Sequence, residues 1–155
     1  MEIKELKFTD ELYKKVIPRN PFKIKRRRVD ILFSIIVRYK QNYICARCGT
    51  QSPPPHKGLH VSHYFSRTRE ATRFDYDNVD CLCHGCHMLW SKNYRSEYIA
   101  FKKKQLGKEK YNALAARAKI KNVFADGWFK KDELARTHEF KRIIAQNKIT
   151  VPIYH

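Results

Sequence analysis

From Val29 to Lys40, apolar side chains fall at Val29, Leu32, Phe33, Ile36 and Val37, with Tyr39 close behind. Steps of three and four residues predict a helix, and Asp30 sits in its first turn, where the helix dipole favours a carboxylate. The packed β-branched residues also fit a strand, but the length of the run favours a helix. Residues 43–92 show no long helical period until the second CxxC pair. Gly49-Thr-Gln-Ser-Pro-Pro-Pro55 is a loop by composition. Leu59 to Phe65 alternates as a short strand, and His84 to Lys92 opens a helix. The remainder reads as helical. Tyr94, Tyr98 and Phe101 are spaced for one face, with a stop at Gly107, and Lys108 to Lys121 is Ala-rich with Leu114 inward. Asp126-Gly127 marks a turn. Asp132 then caps a segment to about Asn147, with Leu134, Phe140, Ile143 and Ile144 inward. Ile149 to His155 reads as extended, and no internal repeat is visible.

Residues 1–28 break this pattern. Pro18 and Pro21 interrupt any regular element, and Lys23-Ile-Lys-Arg-Arg-Arg28 is a basic run. The chain therefore divides into a basic N-terminal arm (1–28), a core (29–92) and a C-terminal helical extension packed on it (93–155). The expected class is α+β, mainly α, and 155 residues amount to one domain.

Charge narrows the partner. Thirty-three Lys and Arg against fifteen Asp and Glu leave +18, which favours a polyanion, and nucleic acid is the first candidate. No apolar run approaches the length of a membrane span, so no membrane partner is expected. Met1-Glu-Ile-Lys-Glu-Leu-Lys7 is too charged to read as a secretory signal. Five cysteines without such a signal point to a reducing compartment, hence a cytoplasmic location, and to metal ligation rather than disulfides.

The cysteines are spaced for that purpose. Cys45-Ala-Arg-Cys48 and Cys83-His-Gly-Cys86 lie 34 residues apart, and two CxxC turns can complete a tetrahedral Zn2+ site. Cys81 competes with Cys83 for the third position, with Cys83 favoured. Cys83 to His87 also spells the haem-attachment pattern CxxCH, but that reading leaves Cys45 and Cys48 unused. Between and beside the knuckles lie His63, Asn78 and His87, an arrangement that suggests metal-assisted cutting of nucleic acid.

These residues resemble a known family. Cys45-x2-Cys48, a hydrophobic strand ending at His63, and Asn78-Val-Asp-Cys-Leu-Cys83-His-Gly-Cys86-His87 are similar to HNH (ββα-metal) endonucleases with a four-cysteine zinc site. Asp30-x2-Phe33-Ser34-x2-Val37-Arg38, Ser62-His63-Tyr64, Arg73-Phe74-Asp75-x2-Asn78-Val79, Asn93-Tyr94-Arg95 and Leu106-Gly107 are similar to the phage NinG/Rap recombination endonucleases, over about residues 29–120.

The resemblance implies a ββα-metal core on a four-cysteine structural zinc, flanked by an N-terminal helix and C-terminal helices. It implies a metal-dependent endonuclease hydrolysing DNA phosphodiester bonds, on branched or recombination intermediates. His63 would be the general base, and Mg2+ or Mn2+ the catalytic ion. Asn78 would either ligate that ion or orient the loop behind His63, and His87 would be a metal ligand or a phosphate contact. The chain departs from the family where a carboxylate or histidine often precedes the base, because Ser62 stands there; His60, two residues away on the same strand face, is the tentative substitute ligand, with Asp75, Asp77 and Asp80 also near in sequence. Lys23, Lys25, Arg26, Arg27, Arg28, Arg67, Arg69 and Arg73 are candidate phosphate contacts, with a nuclear address or a solvated segment as the other roles for the first five and a solvated loop as the plainer role for the last three. His56 and His138 read as ordinary surface or core histidines, and His84 as a solvent-facing helix residue. Cutting two strands symmetrically would favour a homodimer. The alternatives are a zinc-stabilised nucleic-acid-binding module without catalysis, and a sequence-specific site nuclease.

Overall fold

Helix α1 (Arg28–Lys40) buries Val29, Leu32, Phe33, Ile35, Ile36 and Val37, a wider face than the predicted stripe because Ile35 is covered as well. In the computed structural model, which describes residues 28–54, 58–120 and 128–151, α1 packs against both strands and the last helix. That central position explains its apolar density. The helix ends in a Schellman turn. Tyr43 N–H donates to the Arg38 carbonyl, Asn42 N–H donates to that of Tyr39, and Asn42 takes a left-handed conformation with φ of 54°.

Strand β1 (Leu59–His63) pairs antiparallel with β2 (Val79–Cys83), in a register that sets Leu59 against Cys83, Ser62 against Asp80 and His63 against Val79. A two-stranded sheet is marginal by itself, so its outer edge is held by other means. The Gln41 amide donates to the Val79 carbonyl and accepts from Cys81 N–H at 2.7 Å, bonding as a neighbouring strand would. Ala46 N–H donates to the Cys81 carbonyl. The connection between the strands contains α2 (Glu70–Arg73) and a 3-10 turn (Tyr76–Asn78).

Helix α3 (His84–Met88) follows β2 directly and continues as a π turn (Leu89–Asn93). Apart from the short turns that join the strands, the chain thus runs strand, strand, helix, with the second CxxC pair at the junction of β2 and α3. Next comes α4 (Arg95–Ala118), broken at Gly107, whose φ of 73° and ψ of 169° lie in a region open to glycine alone. The predicted stop is therefore a kink between two helical halves. Gly107→Ala should cost about 1–3 kcal/mol, read as a lower midpoint in urea. Tyr98 and Leu114 are buried as expected, but Tyr94 precedes the helix and is exposed. Tyr98 stacks on Trp90 at 4.4 Å.

Helix α5 (Trp128–Gln146) lies on α1 through Phe140 and Ile144, with the Phe140 ring 5.6 Å from Phe33. Two expectations fail here. Asp132 is inside the helix, paired with Arg136 one turn on, and is not its cap. Leu134 is 60% exposed; at about 100° per residue it sits roughly 120° round the helix from Phe140. No described helix is long and apolar enough to cross a membrane. Lys23, Lys25, Arg26, Arg27, His56 and the Asp126-Gly127 turn lie outside the described residues.

Candidate functional site

The first CxxC forms a tight knuckle after α1. Cys45 N–H donates to the Thr50 carbonyl, and Gly49 N–H donates back to that of Cys45. Gly49 supplies the positive φ of 74° that the turn needs. The second pair spans a junction, with Cys83 closing β2 and Cys86 inside α3. The four sulfurs of Cys45, Cys48, Cys83 and Cys86 lie within 4.8 Å of one another, and Cys48 and Cys83 are 3.8 Å apart. A tetrahedron with zinc–sulfur bonds of about 2.3 Å has edges of roughly 3.8 Å, so this donor set fits a structural metal such as zinc. Cys81 is not part of it. It is fully buried, and its sulfur is not one of the four that converge. Arg47 borders the cluster, with Nη1 3.9 Å from the Cys86 sulfur while Nε and Nη2 donate to Glu97.

A cleft of about 620 Å³ runs beside β1, lined among others by Asp30, Ser34, Arg38, His60, His63, Arg67 and His87. His63 ends the strand, and its Nε2 is 2.8 Å from the Arg73 carbonyl oxygen. A carbonyl only accepts, so Nε2 carries the proton and Nδ1 keeps a lone pair. Burial holds this imidazole below its ordinary 6.5, against the opposing effects of the Arg73 carbonyl and the Asp30 charge.

The arginines near His63 have different tasks. Arg73 was expected to face phosphate. It is instead buried, donating to both Asp30 oxygens and to Glu70. A guanidinium committed to two carboxylates has little left for DNA, and its role is to fix the carbonyl that holds His63. Arg69 donates to the Ala118 carbonyl at the end of α4. Arg67 lines the cleft, and Arg28 is exposed at the start of α1.

Asn78 is fully buried. Its Oδ1 accepts from Phe65 N–H, and its Nδ2 donates to the carbonyls of Phe65 and Thr72. Of its two expected roles, this geometry offers the loop-orienting one: the side chain ties the segment after His63 to the start of β2, and no amide atom reaches the cleft. Ser62 is 5% exposed and faces Asp80 across the sheet. It points into the protein, so the position before His63 contributes no ligand to the cleft.

Beneath the sheet lies a polar network that sequence inspection missed. Asp80 accepts from Tyr98 Oη at 2.7 Å and from Gln105 Nε2 at 2.9 Å, and it pairs with Lys102 Nζ at 2.8 Å. Burial lowers the Lys102 pKa, with the charge of Asp80 opposing. Tyr98, Lys102 and Gln105 follow at helical spacing, the one signal that could have placed Lys102 inward. On the other flank, His60 lies against two imidazoles of α3, with ring centres 5.4 Å from both His84 and His87. His84 is exposed as expected, yet it is not isolated. Comparison with protein-family models, with curated proteins and with solved structures returns no match, so the reading of this site rests on its own chemistry.

Proposed function

We propose that this chain is a metal-dependent nuclease of the HNH type that hydrolyses DNA phosphodiester bonds, with His63 as general base. The observation that carries the reading is the hydrogen bond from His63 Nε2 to the Arg73 carbonyl. It fixes the ring and its tautomer, leaving Nδ1 to take a proton from water as that water attacks phosphorus. A divalent cation, Mg2+ or Mn2+ in the family, would supply neutralisation of phosphate and of the leaving oxygen. Arg67 can bind phosphate in the same cleft, and a net charge of +18 would draw DNA in from a distance. The strand–strand–helix order through the cysteine cluster also supports the reading, and branched DNA is the preferred substrate class by family resemblance.

The test incubates zinc-replete protein with linear, nicked and four-way DNA, with and without divalent cation. His63→Ala should lower cleavage by about 10²–10⁴-fold while DNA retention on a gel is unchanged. Cleavage that persists in this variant would remove His63 from the mechanism. Salt-sensitive binding with no product under any divalent ion would favour a zinc-stabilised binding module. The pH profile gives a second readout. A base works only when unprotonated, and burial holds His63 below 6.5, so the acidic limb of cleavage should lie below pH 6.5.

A further inference from the structure

Helix α1 turns a polar stripe to the cleft, and the mechanism above uses only one end of it. Asp30, Ser34 and Arg38 follow at intervals of four, so they share one side of the helix, and all three line the cleft beside β1. The stripe runs antiparallel to the strand. Asp30 acts on His63 through Arg73, whose carbonyl oxygen lies 2.8 Å from the imidazole Nε2. At the far end, Arg38 donates through Nε to the Leu59 carbonyl at 2.9 Å and through Nη1 to Ser34 Oγ at 3.1 Å. Those bonds set the plane of the guanidinium, so its charge stands at a fixed place on the cleft wall.

The strand edge beside Arg38 supplies a donor as well. Cys81 turns its N–H to the Gln41 amide and its carbonyl to Ala46 N–H, both away from β1. Residues directly opposite in an antiparallel ladder either exchange both bonds or turn both groups outward. Val61, the partner of Cys81, therefore turns its N–H away from β2, along the edge whose Leu59 carbonyl Arg38 holds. Val61 lines the cleft, so that N–H is directed into it.

Distance decides what this end can hold. Leu59 to His63 spans about 13 Å of strand, and Asp30 to Arg38 about 12 Å of helix. A phosphate set against His63 is out of reach of Arg38. One strand of duplex advances about 3.4 Å per nucleotide, which brings another phosphate of that strand to the far end. A guanidinium beside a backbone N–H suits phosphate oxygens in charge and in geometry.

We propose that Arg38 and the Val61 N–H form a second phosphodiester subsite, about three to four nucleotides along the strand from the phosphate set against His63. The subsite depends on the nuclease reading only for this spacing from the cut, because the contact itself requires no hydrolysis.

The experiment measures DNA affinity against salt for the full-length, zinc-replete protein without added divalent ion. Removing one phosphate contact on duplex DNA lowers the slope of log K against log salt by about 0.9. Arg38→Gln should show that loss with affinity about tenfold weaker, at an unchanged melting midpoint. Arg38→Lys keeps the charge but not the fork that bonds Leu59 and Ser34, so it should retain the wild-type slope. A merely structural arginine would leave the Lys variant as weak as the Gln variant. Arginine modification of the wild type by phenylglyoxal, read by peptide mass spectrometry, avoids any question of folding, and DNA should protect Arg38. An unchanged slope in Arg38→Gln, a Lys variant no better than it, or equal modification of Arg38 with DNA present would each overturn the subsite. In cleavage, Arg38→Gln should raise KM with kcat unchanged, and the difference should vanish on strands trimmed to about two nucleotides on each side of the cut. A difference that persists there would overturn the spacing. The expected binding results with no cleavage under any ion would sink the nuclease reading and leave the subsite standing. Full-rate cleavage with the slope and KM of Arg38→Gln unchanged would do the reverse.

Discussion

Cys83→Ser is expected to give a chain that neither holds a stoichiometric structural metal nor melts cooperatively. Cys83 is the last residue of β2, and the next ligand, Cys86, lies in α3. The other two ligands belong to the knuckle after α1. The cluster therefore joins three pieces of chain that a two-stranded sheet could not hold together. Structural zinc sites of this kind are worth about 10–16 kcal/mol, as much as the whole stability of a small domain at roughly 5–15 kcal/mol. Serine is a poor ligand for zinc, and a site with three sulfurs loses most of that energy. Metal content by mass spectrometry and a thermal melt by circular dichroism read the outcome, and a chelator acting on the wild type should reproduce it. Cys81→Ala is the informative companion. It removes a thiol that burial keeps neutral, with its pKa near 12, and should cost only about 1–2 kcal/mol with metal content unchanged. A Cys83→Ser protein with full metal and a wild-type melt would disprove the assignment.

Lys102→Met should be the most damaging substitution away from the cysteines. Lys102 and Asp80 have side chains 1% and 0% exposed and meet at 2.8 Å. Removing the lysine leaves a carboxylate buried with only the tyrosine and glutamine as donors. Breaking one side of a buried pair costs about 3–5 kcal/mol, whereas replacing both sides with apolar groups is often neutral. Urea denaturation of Lys102→Met, Asp80→Leu and the double variant forms a cycle. The double variant should recover most of the loss, and the coupling should be insensitive to salt, because a buried pair is poorly screened. A single Lys102→Met change below about 1 kcal/mol would mean the pair contributes no more than a surface bridge.

The candidate site was partly visible in the linear chain. CxxC spacing is local geometry, and it singled out the four cysteines whose sulfurs converge, with Cys83 favoured over Cys81. His63 was likewise placed by its offset from the cysteines, at the end of a strand. The roles of its neighbours were not legible. Arg67 and Arg73 stand in the same short stretch with the same chemistry, yet one lines the cleft and the other is sealed against Asp30, 43 residues earlier. Asn78 offered two roles on paper. Only the position of Phe65 and Thr72 around its amide separates them.

Periodicity, spacing and composition by themselves determined the α1 stripe, the loop at Gly49, the break at Gly107, the paired cysteine knuckles and the net charge of +18. Each depends on residues within a turn or two of one another, or on total charge, which needs no fold. The tertiary structure alone decided that Ser62 turns inward to Asp80, that Arg73 supports His63 through its carbonyl, and that His60 faces His84 and His87. It also placed Leu134 outward, away from the side of α5 that packs on α1. These outcomes turn on which faces of distant elements are pressed together, and a side chain's partner across such an interface leaves no trace in its local sequence.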